Sequence, residues 1–138
     1  RPASARRLRP RTAAATLQRQ GIRTAGPHRT RRETPAGDVL EWDLLFHGSD
    51  ELGGLLPFYI DWLACTHPAT VNPQGGRMLR FEVSLPDPSG LQTALSGLGI
   101  EGVEVSAGEP AMEVEVASAV GTVTLESTAE TLATRFGR

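Results

Sequence analysis

Three histidines, one cysteine, fourteen arginines and no lysine set the range of side-chain chemistry open to this 138-residue chain. Without lysine there is no Schiff-base amine and no lysine to grip a phosphate. Cys65 sits in ACTHP, which matches no known nucleophile motif, so it reads as a buried structural thiol that cannot form an internal disulfide. His67, directly before Pro68, either lines the mouth of a binding site or caps a turn. Arg80, on a strand with Glu82, has two readings: a bidentate clamp for a ligand carboxylate, or pairing with Glu82's neighbours across the sheet. Trp42 and Trp62 are large apolar anchors that can also wall a ligand pocket. His28 and His47 fall at loop or edge positions. Gly75-Gly76 is a turn and not a phosphate loop, because no helix start follows it.

The elements that must position these residues are readable from periodicity. Thr12 is expected to cap a short helix over AAATLQRQ, with Gly21 as its left-handed stop. His28 to Thr34 fits an edge strand. DVLEWDLLF alternates, placing Leu40, Trp42, Leu44 and Phe46 on one face and Glu41 and Asp43 on the other. LLPFYIDW follows as a strand with Pro57 near its start or on an edge. The Pro- and Gly-rich THPATVNPQGG then crosses to a second unit. RMLRFEVSL alternates with Leu79, Phe81, Val83 and Leu85 toward a core. Asp87 and Pro88 open a helix whose Leu91, Leu95 and Leu98 share one face and whose stop is Gly99. VEVSAGEP, AMEVEVAS and GTVTLEST read as three short strands, with Met112, Val114 and Val116 opposite Glu113 and Glu115. The second half is therefore βαβββ, and the first half repeats that order without its opening strand.

Charge is distributed unevenly: residues 1–32 hold ten Arg and no acid, while residues 33–138 hold four Arg and sixteen acids. Residues 1–10 are expected to be an unpaired basic segment, and residues 129–138 a tail, flanking a domain at 11–128 with units near 11–63 and 76–128. No aromatic residue precedes Trp42 to stack on a base, so nucleic acid is not an expected partner. The apolar runs are strand-sized, which argues against a membrane span. Exclusive use of Arg fits codon bias in a GC-rich bacterial genome. The missing initiator Met suggests a truncated or misread start, and the expected location is cytoplasmic.

The run from RRETPAGDVLEWDLLF through GGLLPFYIDW to HPAT, followed by PDPSGLQTALSGLGI, resembles the glyoxalase-like domain family of the vicinal oxygen chelate (glyoxalase/bleomycin resistance/dioxygenase) superfamily over about residues 12–127. The resemblance implies an α+β fold: tandem βαβββ units forming a curled, mostly antiparallel mixed sheet around a cleft. It also implies small-molecule binding in that cleft, with lyase or dioxygenase chemistry on a divalent metal as one possibility. Non-catalytic sequestration, as in proteins resembling the bleomycin-resistance type, and a degenerate inactive fragment are the alternatives.

Family ligand positions correspond here to Tyr59 or Asp61, Arg80 or Glu82, and Thr124 or Glu126. No His lies on these strands, so the metal ligand set is incomplete and no catalytic residue is assigned. Asp61, Glu82 and Glu126 form either an acidic cluster in the cleft or solvated strand charges. The candidate ligand-binding set is Trp42, Tyr59, Asp61, Trp62, His67, Arg80, Glu82 and Glu126. The expected partners are a small molecule and a second copy of the chain in a homodimer.

Overall fold

A computed structural model describes residues 8–48, 52, 54–73 and 75–127. Most of the expected basic segment and all of the expected tail lie outside the described residues. Two compact units emerge: Arg1–Gly48 with Phe58–Thr70, and Ser49–Pro57 with Val71–Arg138.

In the first unit, helix α1 (Pro10–Arg19) leads into strands β1 (Thr24–Glu33), β2 (Val39–His47) and β3 (Tyr59–Asp61). The expected Thr12 cap is corrected. The helix starts three residues earlier, with Arg9 as N-cap and Pro10 inside the first turn, where its missing N–H costs nothing. The Arg9 carbonyl accepts the N–H groups of Thr12 and Ala13. Gly21 does stop the helix, at φ +79.

The three strands form an antiparallel sheet in the order β1-β2-β3, so β1 is an edge strand, as its sequence suggests. Its register slips between Ala25 and His28. Gly26 is obligatory at that slip: φ is +108, and a Cβ there would stand 2.6 Å from the Leu44 carbonyl oxygen.

One expectation for this region does not hold. Only Tyr59–Asp61 of LLPFYIDW is strand. Leu55 and Leu56 instead lie buried in the preceding turn, where Leu55 N–H bonds the Leu52 carbonyl, and Pro57, unable to donate to a ladder, marks the break. The alternation of β2 is as expected, but its apolar face is not the covered one. Leu45, on the side of Glu41 and Asp43, is 1% exposed, whereas Phe46 is 43% exposed. Helix α1 packs on all three strands and presents the narrow buried strip Ala13, Ala14 and Leu17, so the face it covers is that of Leu45.

The second unit reads β4 (Gly76–Leu85), α2 (Ser89–Gly97), β5 (Glu104–Ala107), β6 (Ala111–Ser118) and β7 (Gly121–Ser127). Its sheet order is β5-β4-β6-β7, with β4 and β5 parallel and the other pairs antiparallel. Here β4 lies between β5 and β6. In the first unit no strand precedes α1 among the described residues, and β1 pairs directly with β2. The fold is thus α+β, with two α-helices and two mostly antiparallel sheets among the described residues.

Asp87 fixes the start of α2, its carboxylate accepting both the N–H (3.0 Å) and the hydroxyl (2.6 Å) of Ser89. These bonds hold the Asp87 carboxyl below its ordinary value, the hydroxyl contributing most. That contribution is present above the ordinary aspartate range and is lost on acidification. Leu91, Leu95 and Leu98 are buried with Val83 and Leu85, and Gly99 ends the helix at φ +65. Leu79 departs from its expected core position. The β4 register shifts between Met78 and Arg80, Leu79 becomes the extra residue of a bulge, and its side chain is exposed.

Replacing Leu95 by Ala is expected to lower unfolding free energy by about 2–5 kcal/mol in urea titration, the range for truncating a buried leucine. A change within experimental error would mean that the leucine face of α2 is not core.

Candidate functional site

The face of the first sheet left uncovered by α1 carries the tryptophan and phenylalanine side chains of the first unit. Strand β3 pairs with β2 so that Asp43 faces Asp61, Leu44 faces Ile60 and Leu45 faces Tyr59. Extending that register one step each way sets Trp42 opposite Trp62 and Phe46 opposite Phe58. Both are ring pairs, with centroids 5.3 Å apart and tilted 45° for the tryptophans, and 5.8 Å apart and stacked for the phenylalanines. One face therefore holds three successive cross-strand pairs, Trp–Trp, Leu–Ile and Phe–Phe. His28 joins Phe46 at 6.4 Å, and His67 meets Trp62 edge-on at 5.9 Å. Phe58 at 54% and Phe46 at 43% exposure leave much of this apolar surface open.

The turn after β3 explains how Trp62 and His67 come together. Asp61 accepts the N–H of Leu63 at 3.0 Å, and Leu63 adopts φ +54, a left-handed conformation rare for a non-glycine residue. The chain then doubles back, with Cys65 N–H on the Trp62 carbonyl. Where β3 has stopped pairing, the Cys65 thiol takes over the edge of β2, its Sγ accepting the Glu41 N–H at 3.2 Å. His67 opens a single 3-10 turn at Pro68–Thr70, its Nδ1 accepting the Ala69 N–H at 3.1 Å. The neutral ring thus carries its proton on Nε2. His67 both caps a turn and extends the aromatic cluster.

Tyr59 and Asp61 point to the other face. Among the described residues the buried Tyr59 hydroxyl has no hydrogen-bond partner, and burial pushes its pKa up to about 12. Asp61 stands in a row with Asp43 and Arg29, the last two joined at 2.6 Å. The Arg29 guanidinium is held further into its charged form, first by its hydrogen bond to Asp43.

In the second unit the polar sheet face carries a row of glutamates, one per strand. Glu104 faces Glu82, Glu82 faces Glu113, and Glu113 faces Glu126. Four carboxylates in register would repel one another, and Arg80 offsets this by pairing with Glu82, with Glu104 at 3.1 Å and with Glu113 at 3.3 Å. These bonds, that to Glu104 foremost, raise the Arg80 pKa further. Ser106 adds a hydroxyl bond to Glu82 at 3.2 Å. Of the two readings of Arg80, cross-sheet pairing is the one realised. A separate open groove of about 320 Å³ at the end of α2 is lined by Gln92, Leu95, Ile100, Glu101 and Val103, among others.

Among the described residues, no three His, Cys, Asp or Glu side chains converge to hold a metal ion. On the described second sheet a divalent cation does not fit the residues present: Glu82, Glu104 and Glu113 are engaged by Arg80, and no histidine lies there.

The sequence profile of the glyoxalase-like domain matches residues 5–99. The chain belongs to the glyoxalase-like domain family. The superfamily is that of the vicinal oxygen chelate proteins. Compared with the residue-level resemblance, the family match starts earlier and ends at Gly99, so it takes in the first unit, β4 and α2 but not β5–β7. Searches of curated proteins and of solved structures find no match. Among the described residues of this glyoxalase-like protein, no helix is long and apolar enough to cross a membrane.

Sequence reasoning singled out Trp42, Trp62 and His67, which do come together, and Arg80 with Glu82, which do as well. It missed Phe46, Phe58 and His28 as members of the aromatic face, and Glu104 and Glu113 as partners of Arg80. The alternation of β2 already put Phe46 on the face of Trp42. Nothing short of the cross-strand register could have added Glu104.

Tyr59 is the only tyrosine, so ultraviolet titration of tyrosinate reads it alone. It should ionise near pH 12 in the folded protein and near its ordinary value of 10 in denaturant. With the folded pKa raised, the associated stability is complete below pH 10 and is lost as pH rises through about 12. Tyr59→Phe should remove that alkaline loss and, by deleting an unsatisfied buried hydroxyl, raise neutral-pH stability by about 1 kcal/mol.

Arg80→Gln should lower the urea midpoint, and lower it more at low ionic strength than at high, because the uncovered glutamates repel through solvent. A midpoint shift independent of salt would contradict the charge-balancing role.

Proposed function

We propose that this glyoxalase-like protein binds a small molecule on the aromatic face of its first unit, with Trp42, Trp62 and His67 forming one end of the surface and Phe46, Phe58 and His28 the other. The observation that carries the reading is the triple ladder of apolar cross-strand pairs, left substantially exposed on the sheet face that α1 does not cover. Exposed contiguous aromatic surface is costly in water unless something occupies it. Tryptophan and phenylalanine faces favour flat, apolar or cationic groups, while His67, packed against Trp62, offers its second ring nitrogen as a polar atom beside them.

The non-catalytic form of this reading is favoured over the metal-dependent lyase or dioxygenase by one specific observation, the engagement of Glu82, Glu104 and Glu113 by Arg80. Arg80, Glu82 and Glu126 are accordingly left out of the ligand set. Tyr59 and Asp61 take supporting roles beneath it, Asp61 by turning the chain at Leu63. With a single cysteine the fold requires no disulfide, and we place its action in the cytoplasm.

Both tryptophans lie in the proposed surface, so ligand titration is read directly by quenching of their fluorescence. A panel of one- and two-ring aromatic compounds should include members that quench saturably, and Trp42→Ala should weaken those members by about tenfold, the equivalent of about 1.4 kcal/mol. Added EDTA should leave the binding unchanged. Absence of saturable quenching across the panel, or its abolition by EDTA, would refute the proposal.

A further inference from the structure

The four sheet edges of the described structure are not equally protected. Strand β1 carries Pro27, a register slip and the charges of Arg29, Arg31, Arg32 and Glu33, all of which discourage addition of another strand. Strands β3 and β5 are only three and four residues long. Strand β7 has none of these safeguards. Its seven residues, GTVTLES, hold an unbroken register with β6, and contain no proline, no bulge and one charge, Glu126. Val123 and Leu125 on its apolar side are 52% and 60% exposed.

We infer that the outer edge of β7 pairs antiparallel with the same edge of a second copy, joining two four-stranded sheets into one of eight strands about a two-fold axis. Such an axis makes the contact self-complementary and closed, the commonest form of homo-oligomer. The residues also select a register. An axis through Thr124 is the one that overlaps all seven residues of both strands, setting Gly121 opposite Ser127, Thr122 opposite Glu126 and Val123 opposite Leu125. Each exposed apolar side chain then meets an apolar partner. Each Glu126 meets a threonine, which keeps the two carboxylates apart, whereas an axis through Glu126 would set them face to face. The glutamate rows of the two copies are staggered for the same reason. A contact confined to one strand pair belongs to the small interface class, so the dimer is weak and depends on concentration.

Sedimentation of the full chain from micromolar to millimolar concentration tests this directly. The expected result is a reversible monomer–dimer equilibrium, with dissociation raised at least tenfold by Thr124→Lys while circular dichroism shows that the variant is folded. In a Cys65→Ser background, Thr124→Cys should be joined by a short thiol-reactive cross-linker faster than Thr122→Cys, because only position 124 meets itself across the axis. A monomer at every concentration, a dimer indifferent to a folded Thr124→Lys variant, or growth beyond the dimer overturns the inference. Should Thr124→Lys not fold, the cross-linking comparison decides, and equal rates at positions 122 and 124 overturn it.

Discussion

The pairing of β3 with β2 is the constraint on which the first unit depends. It is only three residues long, yet its register determines which side chains meet beyond it. A slip of one residue would send Tyr59 to the open face and Ile60 beneath the helix. It would also separate Trp42 from Trp62 and Phe46 from Phe58. So short a ladder contributes few hydrogen bonds, and its position is reinforced from both ends by ring contacts and by the turn that Asp61 and Leu63 make. The Cys65 sulfur then occupies a backbone donor of β2 that would otherwise face solvent or another strand.

The second unit solves a different problem. Its polar face concentrates glutamates where the strands align them, and a single guanidinium spans three of the four strands to balance them. Planar, with five donors and permanently charged, arginine suits this better than lysine, whose ammonium is a compact point charge. An arginine engaged by three carboxylates has little capacity left to grip a fourth from a ligand. The two sheets of one chain have thus diverged: one presents rings, the other a charge network closed upon itself.

Much of this was legible in the sequence. The leucine spacing and Gly99 located α2, the alternation of AMEVEVAS and GTVTLEST located β6 and β7, and the repeat of element order indicated the α+β class. What remained hidden depended on contacts between elements. Alternation assigned Leu40, Trp42, Leu44 and Phe46 to one face but carried no information on which face a short, largely polar helix would cover. The bulge at Leu79 is a shift of register, invisible in a strand whose own pattern stays regular. The Thr12 cap was plausible chemistry, but the helix begins three residues upstream of it, because Pro10 tolerates the first helical turn without loss. Arg80 stood between two readings until the partners supplied by β5 and β6 came alongside.

The distribution of chromophores has a consequence for how the chain can be watched unfolding. Trp42, Trp62 and Tyr59 all belong to the first unit, and the described second unit, with Phe81 as its aromatic residue, contains neither tryptophan nor tyrosine. Near-ultraviolet signals and intrinsic emission therefore follow one half of the molecule, whereas far-ultraviolet dichroism sums both. Transitions that coincide by the two probes mean that the halves melt as one cooperative body, and transitions that separate assign a stability to each without any label being introduced.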